Sequence, residues 1–486
     1  MGPLSHSSQT APKNESERVA FTGKRERYWD EFARRKGWRL GGYYHGRLAS
    51  LYGSLIPAGS RVLELGSGSG DLLSALRPAL GVGVDFSEAT IEKARARHPD
   101  LTFVRADVHD LDLRQQFDYI ICADFVNELW DVQRVFEVAH KHSHAGTRII
   151  INTYSRLWEI PRRVLEASGL VSSQLEQNWL TREDVSNLLY LAGFESIRHW
   201  QEILWPFPPP GLNGLANRFL VKMAPFRWLG LTNFIIARPQ PRRRDSAPPL
   251  VSVVVPARNE AGNIRAIFQR VPCMGAGTEL IFVEGHSTDS TFGAIQQAIS
   301  EHPDIPAKLL KQTGTGKGDA VRTGFANASG DLLMILDADL TVAPEDLPRF
   351  YEAWISGKGD LVNGVRLVYP VGERAMRFLN LLGNKFFSLA FTWLLGQNVK
   401  DTLCGTKVVS KGHYEMIAAN RGYFGEQDPF GDFDLLFGAA RFGLKIVDLP
   451  VRYHERTYGR TNIHRWRHGW LLLRMVFLAM RRIKFV

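Results

Sequence analysis

The chain has few cysteines, no long uncharged apolar run and no internal repeat, and each absence removes a class of protein. Three cysteines in 486 residues, Cys122, Cys273 and Cys404, stand far apart. That spacing builds neither a zinc site nor a disulfide framework, so a reducing, cytoplasmic compartment is expected. No stretch reaches the roughly 18 uncharged apolar residues that a membrane-spanning helix needs. No N-terminal segment joins a basic head to an apolar core, so no secretory signal is expected. Acid is missing near the end: from Arg456 to Val486 there are eight Lys/Arg and no Asp or Glu. No nucleic-acid-binding motif accompanies those bases, so they suit an anionic membrane surface, bound peripherally, better than nucleic acid.

What is present is globular composition, 44% hydrophobic and 23% charged, on a length that fits two domains. The boundary lies where the strand-like run Asn233 to Ala237 gives way to residues 239–249, rich in proline and charge. That segment cannot pack as helix or central strand, and Val251 to Val255 then opens a new β-branched strand. Both halves alternate short apolar strands with longer helical stretches, the pattern of a mainly parallel α/β sheet. The expectation is a disordered tail over 1–25, a domain over 26–238, a linker over 239–249, a second domain over 250–460 and a basic amphipathic helix over 461–486.

In the first half, the buried strand Arg61 to Leu65 runs into Gly66-Ser67-Gly68-Ser69-Gly70-Asp71 and a helix. Glycines at every second position let the backbone turn sharply and approach a ligand at a helix N-terminus. Asp85 ends the next strand, where an acid accepts both hydroxyls of a ribose, and Asp107 follows the third, beside an adenine edge. Asp118 precedes the fourth strand. Dinucleotide sites need G-x-G-x-x-G, whereas here the spacing is G-x-G-x-G with Glu64 two residues before it. From Tyr43 to Arg238 the chain thereby resembles the class I S-adenosylmethionine-dependent methyltransferases; the rival readings are an NAD site and an empty Rossmann-like sheet. The resemblance implies that Glu64, Gly66, Gly68, Gly70, Asp85 and Asp107 bind S-adenosylmethionine. It places the acceptor pocket at Tyr28, Trp29, Tyr43, Tyr44 and His45 and at Asn127, Glu128 and Trp130. His45 and Glu128 are candidate general bases there, although any one of these residues reads more readily as a packing or capping residue, since aromatics near a cleft usually serve as core.

In the second half, Val251 to Val255 leads into Pro256-Ala257-Arg258-Asn259-Glu260, and a second strand ends at Glu284-Gly285. A third strand delivers Asp337-Ala338-Asp339. Two carboxylates one residue apart at a strand end can hold one divalent cation, which neutralises a departing diphosphate. These segments resemble the family 2 glycosyltransferases with a GT-A fold, which are inverting and use Mg or Mn. The resemblance implies that Pro256, Arg258, Glu260, Glu284 and Lys317 hold the nucleotide sugar and that Asp337 and Asp339 hold metal and diphosphate. Many members carry two acids where this chain has Glu284-Gly285, which leaves the base contact to Glu284 or the backbone.

Within that family the likeness is to dolichyl- and polyprenyl-phosphate mannosyl- and glucosyltransferases. It rests on Gly316 to Arg322, on Gly364-Val365-Arg366 and Arg377, on Asp401 to Lys407, and on Arg456-Thr457-Tyr458-Gly459-Arg460-Thr461. Arg366 and Arg377 would face a lipid phosphate and Arg456 the diphosphate; a forked guanidinium suits such anions. Asn380, Asn384, Ser388 and Thr392 form a polar stripe on an apolar helix, and Arg467, Arg474 and Arg481, seven apart, share a helical face with apolar residues opposite. Both patterns fit a core helix or an interfacial one.

The expected activity is transfer of a hexose from GDP-mannose or UDP-glucose to polyprenyl phosphate, beside methylation of an unknown, lipid- or sugar-linked acceptor. The alternative is a sugar-hydroxyl acceptor, with Asp434 or Asp432 as base, and a first domain that only binds S-adenosylmethionine.

Overall fold

The computed structural model describes residues 10–34, 42–168, 175–206, 212–240, 247–366, 368, 378–423, 431–456, 458–459 and 465–485. They fall into two compact units that divide between Gln240 and Pro241.

The first unit opens with helices α1 (Thr10–Arg34) and α2 (Gly42–Leu55). Strand β1 (Arg61–Leu65), helix α3 (Asp71–Ala75), β2 (Leu80–Asp85), α4 (Glu88–Arg97) and β3 (Thr102–Arg105) follow. Then come β4 (Phe117–Ala123), α5 (Val132–Lys141), β5 (Ser143–Tyr154), α6 (Glu159–Ala167) and α7 (Arg182–Leu191). Strand β6 (Phe194–Glu202), helix α8 (Leu212–Arg218) and β7 (Thr232–Pro239) complete the unit. The seven strands lie in the order β3-β2-β1-β4-β5-β7-β6, with β7 antiparallel to both neighbours. Local chemistry sets the helix starts. Ser87 caps α4, Asp131 caps α5, and Thr181 with Asp184 forms a reciprocal capping box on α7.

Helix α1 corrects the expectation of a loose tail through Arg25. Its polar residues are not solvated at random but reach partners in the unit. Asp30 accepts from Ser87 Oγ at 2.6 Å, Arg18 pairs with Asp110 at 2.5 Å, and Arg25 is buried with its guanidinium 3.5 Å from the Phe21 ring centroid. Residues 1–9 lie outside the described set.

The second unit runs β8 (Leu250–Ala257), α9 (Ile264–Arg270), β9 (Gly277–Glu284), α10 (Thr291–Glu301) and β10 (Ala307–Lys311). Next are α11 (Lys317–Ala326), β11 (Leu332–Ile335), α12 (Leu347–Ile355), β12 (Leu361–Val365) and α13 (Phe378–Leu395). Strand β13 (Lys407–Ser410), α14 (Lys411–Ala419), α15 (Asp432–Arg441), β14 (Ile446–Pro450) and α16 (Arg465–Ala479) end it. The order is β10-β9-β8-β11-β13-β12-β14, with β13 antiparallel to β11 and β12. The parallel strands are apolar nearly throughout because helices cover both faces of the sheet.

Helices α13 and α16 pack on one another and on this core. The hydroxyls of Ser388 and Thr392 donate to the Val399 carbonyl at 3.1 and 3.3 Å, so that part of the polar stripe points inward. Phe386 and Leu389 face solvent instead. The side chains of Asn380 and Asn384 lie outside the described set. On α16, Leu472, Met475 and Ala479 are buried. Arg474 and Arg481 lie outward with Trp470, Leu473 and Phe477, not opposite them, because those five positions fall on successive turns of one face. No helix among the described residues is long and apolar enough to cross a membrane.

Phe391 ties α13 to α15, its ring 5.1 Å from Phe433 and 5.9 Å from Phe437, with no exposure to solvent. Phe391→Ala is expected to cost the second unit about 3–5 kcal/mol. Urea unfolding followed by circular dichroism checks this; an unchanged midpoint would mean that α13 contributes nothing to the core.

Candidate functional site

In the first unit, functional side chains gather at the carboxyl ends of β1, β2 and β4. Gly66 and Gly70 adopt positive φ, 74° and 75°, and a Cβ at either would run into the ring of Phe125 or Phe103. Only glycine fits such a turn. The Gly68 amide donates to Asp85 Oδ2 at 3.1 Å and the Ser87 amide to Asp85 Oδ1 at 3.0 Å, which fixes that carboxylate across the glycine loop. Burial raises the Asp85 carboxyl above its ordinary range. Glu64 is buried, its Oε2 has no hydrogen-bond partner, and burial pushes its carboxyl up to about 8.

Asp107 follows β3 and accepts from the His109 amide at 3.0 Å and ring Nδ1 at 2.6 Å. Burial works to raise its carboxyl, but those hydrogen bonds hold it below the usual range. Asp118 sits at the far end of β4, where it accepts from the Arg61 amide at 2.9 Å. It is not part of the cleft. The acid at the cleft end of β4 is Asp124, which the sequence reading passed over. It holds a positive φ of 52°, accepts from Tyr44 Oη at 2.8 Å and Asn152 Nδ2 at 2.5 Å, and burial pushes its carboxyl up to about 7. Its signal was available: an acid directly after an apolar strand, as at Asp85.

The acceptor-pocket candidates divide. Tyr44 joins Asp124, and its ring lies 6.5 Å from that of Tyr154. Trp29 Nε1 donates to Glu128 at 2.8 Å, and burial raises the Glu128 carboxyl. Tyr43 Oη accepts from Asn217 at 3.0 Å, and Trp130 packs on Phe21. Asn127 is structural: its Nδ2 donates to the Asn178 carbonyl at 2.7 Å and its Oδ1 accepts from the Tyr154 amide at 3.2 Å. Burial lowers the affinity of His45 for a proton.

These residues suit S-adenosylmethionine. The cofactor carries cationic groups, and the strand end holds a buried, unpartnered Glu64 oxygen before a turn whose Gly66 and Gly70 leave no room for a side chain. Glu64, Gly66, Gly68, Gly70 and Asp85 would hold it, and it would supply an electrophilic methyl group.

In the second unit the carboxylates are already matched with cations. Lys317 Nζ meets Asp337 at 2.5 Å, and Gly405 approaches both so closely that a Cβ would collide with them. Arg456 bridges Asp339 at 2.6 Å and Glu260 at 2.8 Å. Burial works against ionisation of Asp337, yet Lys317 holds its carboxyl below the usual range. Burial pushes the Glu260 carboxyl up to about 7. Glu284, at the end of β9, accepts from the Ser287 amide at 2.5 Å. Pro256 is half-buried and Arg258 exposed at the end of β8.

A second tier lies behind the first. Arg366 forks onto the buried Asp401 at 2.8 and 3.0 Å, so its guanidinium is braced by protein rather than held only for a ligand. The fully buried Lys407 meets Asp432 at 2.9 Å. Asp434 turns toward Arg421 at 3.2 Å and Arg322 at 3.5 Å, and burial raises its carboxyl. Sequence reasoning did not single out Arg322 or Arg421 as its partners. Arg377 lies outside the described residues, as do Thr457, Arg460 and Thr461.

Asp337 and Asp339 are hard oxygen donors, and among the described residues no group of three or more His, Cys, Asp or Glu forms a complete cage. Such a donor pair fits Mg or Mn, which take their remaining ligands from phosphate and water. The residues present therefore suit a cation that arrives with a diphosphate.

The chain matches two family descriptions: a methyltransferase domain over residues 56–202 and glycosyl transferase family 2 over residues 252–424. It is similar to a dolichol-phosphate mannosyltransferase of Pyrococcus furiosus, 36% identical over 220 residues, covering 44% of this chain and 59% of that one. It is 34% identical over 216 residues to an undecaprenyl-phosphate 4-deoxy-4-formamido-L-arabinose transferase of Aeromonas hydrophila, covering 44% and 62%. The chain thus spans about three fifths of the length of each of these relatives. Among solved structures it is similar to an S-adenosylmethionine-dependent methyltransferase, a possible histamine N-methyltransferase, of Thermotoga maritima. That likeness has 20% identity and a TM-score of 0.33, covering 44% of this chain and 96% of that one. The protein carries a methyltransferase domain followed by a family 2 glycosyltransferase domain on one chain.

Proposed function

We propose that the glycosyltransferase domain transfers a hexose from GDP-mannose or UDP-glucose to polyprenyl phosphate at a membrane surface, with inversion. The methyltransferase domain would methylate an acceptor using S-adenosylmethionine. The observation that carries the lipid acceptor is the outward face of α13 and α16. Phe386, Leu389, Trp470 and Phe477 are all more than half exposed, and Arg474 and Arg481 lie outward beside them. Large apolar groups beside arginine suit the boundary between lipid tails and anionic headgroups. The relatives whose printed names contain dolichol phosphate or undecaprenyl phosphate point the same way.

A lipid phosphate is ionised near neutral pH and needs no strong base. That agrees with a site in which Asp432 is already spent on Lys407. Asp337 and Asp339 would hold the Mg or Mn ion that neutralises the departing diphosphate. Arg456, held at Asp339, adds positive charge at the same place. Arg366, locked by Asp401, presents a preorganised cation to the acceptor. The hydroxyl-acceptor alternative rests on Asp434, whose raised carboxyl would serve as a base.

In the methyltransferase domain we infer that the acceptor proton passes to Asp124. Tyr44 and Asn152 fix its carboxyl at the cleft end of β4.

Asp339→Ala is expected to lower hexose transfer to polyprenyl phosphate by about 100-fold or more, assayed with divalent metal and product masses. Activity within a few-fold of the parent would remove the metal-assisted reading. Arg366→Lys keeps the charge and loses the fork, so it should raise KM for polyprenyl phosphate while Asp434→Asn stays within a few-fold. Loss of transfer in Asp434→Asn with normal Arg366→Lys would favour a sugar hydroxyl. Methyl transfer, followed with labelled S-adenosylmethionine and membrane lipid extract, should rise with pH and level off above a midpoint near 7 as Asp124 ionises. Asp124→Asn should abolish that limb and slow transfer by about 100-fold; an unaltered profile would exclude Asp124 as the base.

A further inference from the structure

In two neighbouring segments of the methyltransferase unit the usual facing of side chains is inverted. The first comprises α8 and the two short 3-10 turns Leu220–Lys222 and Phe226–Leu229. Its inward side is largely small or polar, with Val221 the one larger apolar residue buried there among the described residues. Asn217 is 1% exposed, its Oδ1 accepting from the Leu204 and Trp205 amides at 2.7 Å, and the buried Lys222 pairs with the buried Glu202. Its outward residues are large and apolar: Leu215, Met223, Phe226 and Trp228 are all exposed by more than two fifths. The second segment is α6. Its half-buried side carries the Arg162–Glu166 ion pair at 2.9 Å, while Ile160 and Val164 stand 73% and 62% exposed. Trp158 Nε1 donates to the Leu229 carbonyl at 3.0 Å and joins the two segments.

Burying polar groups while showing Phe, Trp, Ile and Met to water is unfavourable unless something apolar meets the exposed side. Charge identifies that partner. From Ile203 to Leu231 there are three bases, Arg218, Lys222 and Arg227, and no acid. Arg227 sits 5.9 Å from the Trp228 ring centroid and Arg218 5.8 Å from that of Phe219. On α6 the two acids are matched internally, Glu166 by Arg162 and Glu159 by Arg163, whose side chain is 72% exposed. An apolar, aromatic surface rimmed by arginine and empty of unmatched acid fits tails and anionic headgroups together.

We propose that the methyltransferase unit docks on an anionic lipid bilayer through α6 and the segment Leu212–Leu229. This inference stands on the first unit alone and does not depend on what accepts the sugar.

The test uses the full chain with Cys273→Ser, which leaves two buried cysteines. Single cysteines are placed by Ile160→Cys, Phe226→Cys or, as a control on an exposed loop, Asp100→Cys, and labelled with an environment-sensitive fluorophore. Vesicles of phosphatidylcholine with phosphatidylglycerol and a nitroxide-bearing lipid should quench the labels at 160 and 226 and leave the one at 100 unchanged. Arg163→Glu with Arg227→Glu should weaken vesicle affinity read at position 226 by roughly tenfold or more. The proposal is overturned if position 226 is not quenched while the protein is vesicle-bound. It is equally overturned if the labels at 160 and 226 are already shielded before vesicles are added, which would mean that protein covers the face.

Discussion

Both sites are governed by the cost of keeping carboxylates in dry places at strand ends, and the two domains meet that cost in opposite ways. A buried carboxylate must find a cation, collect hydrogen bonds or keep its proton. In the glycosyltransferase domain Asp337, Asp339, Asp401 and Asp432 each face a lysine or arginine, although burial still raises Glu260 and Asp434 beside their arginines. In the methyltransferase domain Glu64 and Asp124 have no such partner, and burial raises both. The difference agrees with the ligands proposed above, a cationic cofactor for the first domain and a diphosphate with its metal for the second. A cleft with uncompensated acid gains most from a cationic cofactor. A site whose acids are already matched can receive an anionic diphosphate and its metal without stranding a buried charge, since Lys317 and Arg456 remain beside whatever replaces them at Asp337 and Asp339.

Tightness of packing enforces this arrangement. Gly405 touches the Lys317–Asp337 pair, and Gly431, at φ 76°, lies where a Cβ would come 2.8 Å from the Gly318 Cα. The helices that carry Lys317 and Asp432 thus approach closely where glycine leaves room. Replacing one partner there would leave the other charged and buried, which costs more than the pair itself contributes.

Much of this was legible in the sequence, because strand ends announce themselves. Apolar runs that stop at an acid or at glycine mark the strand ends at which Gly66, Asp85, Asp337 and Asp339 stand. What escaped was pairing at long range. Nothing in the spacing of Arg366 and Asp401, or of Asp434 and Arg421, says that they meet; the fold brings them together across intervening strands. Asp124 escaped for a different reason. The acid at the start of β4, Asp118, drew attention, although only the residue after a parallel strand points to the ligand end of the sheet. Helix α1 escaped because a polar segment reads as solvated until its partners are known.

Facing is the property that periodicity cannot supply. A stripe of polar residues on an apolar helix has two solutions, polar side out or polar side in, and composition alone favours the first. Ser388 and Thr392 choose the second because the Val399 carbonyl needs donors inside the domain. Asn217 does the same in the methyltransferase domain, where the Leu204 and Trp205 amides need an acceptor. In the methyltransferase domain that polar commitment goes with exposed Leu215, Met223, Phe226 and Trp228, whereas α13 buries Phe391, Leu394 and Leu395 beside Ser388 and Thr392, so one helix can meet both needs.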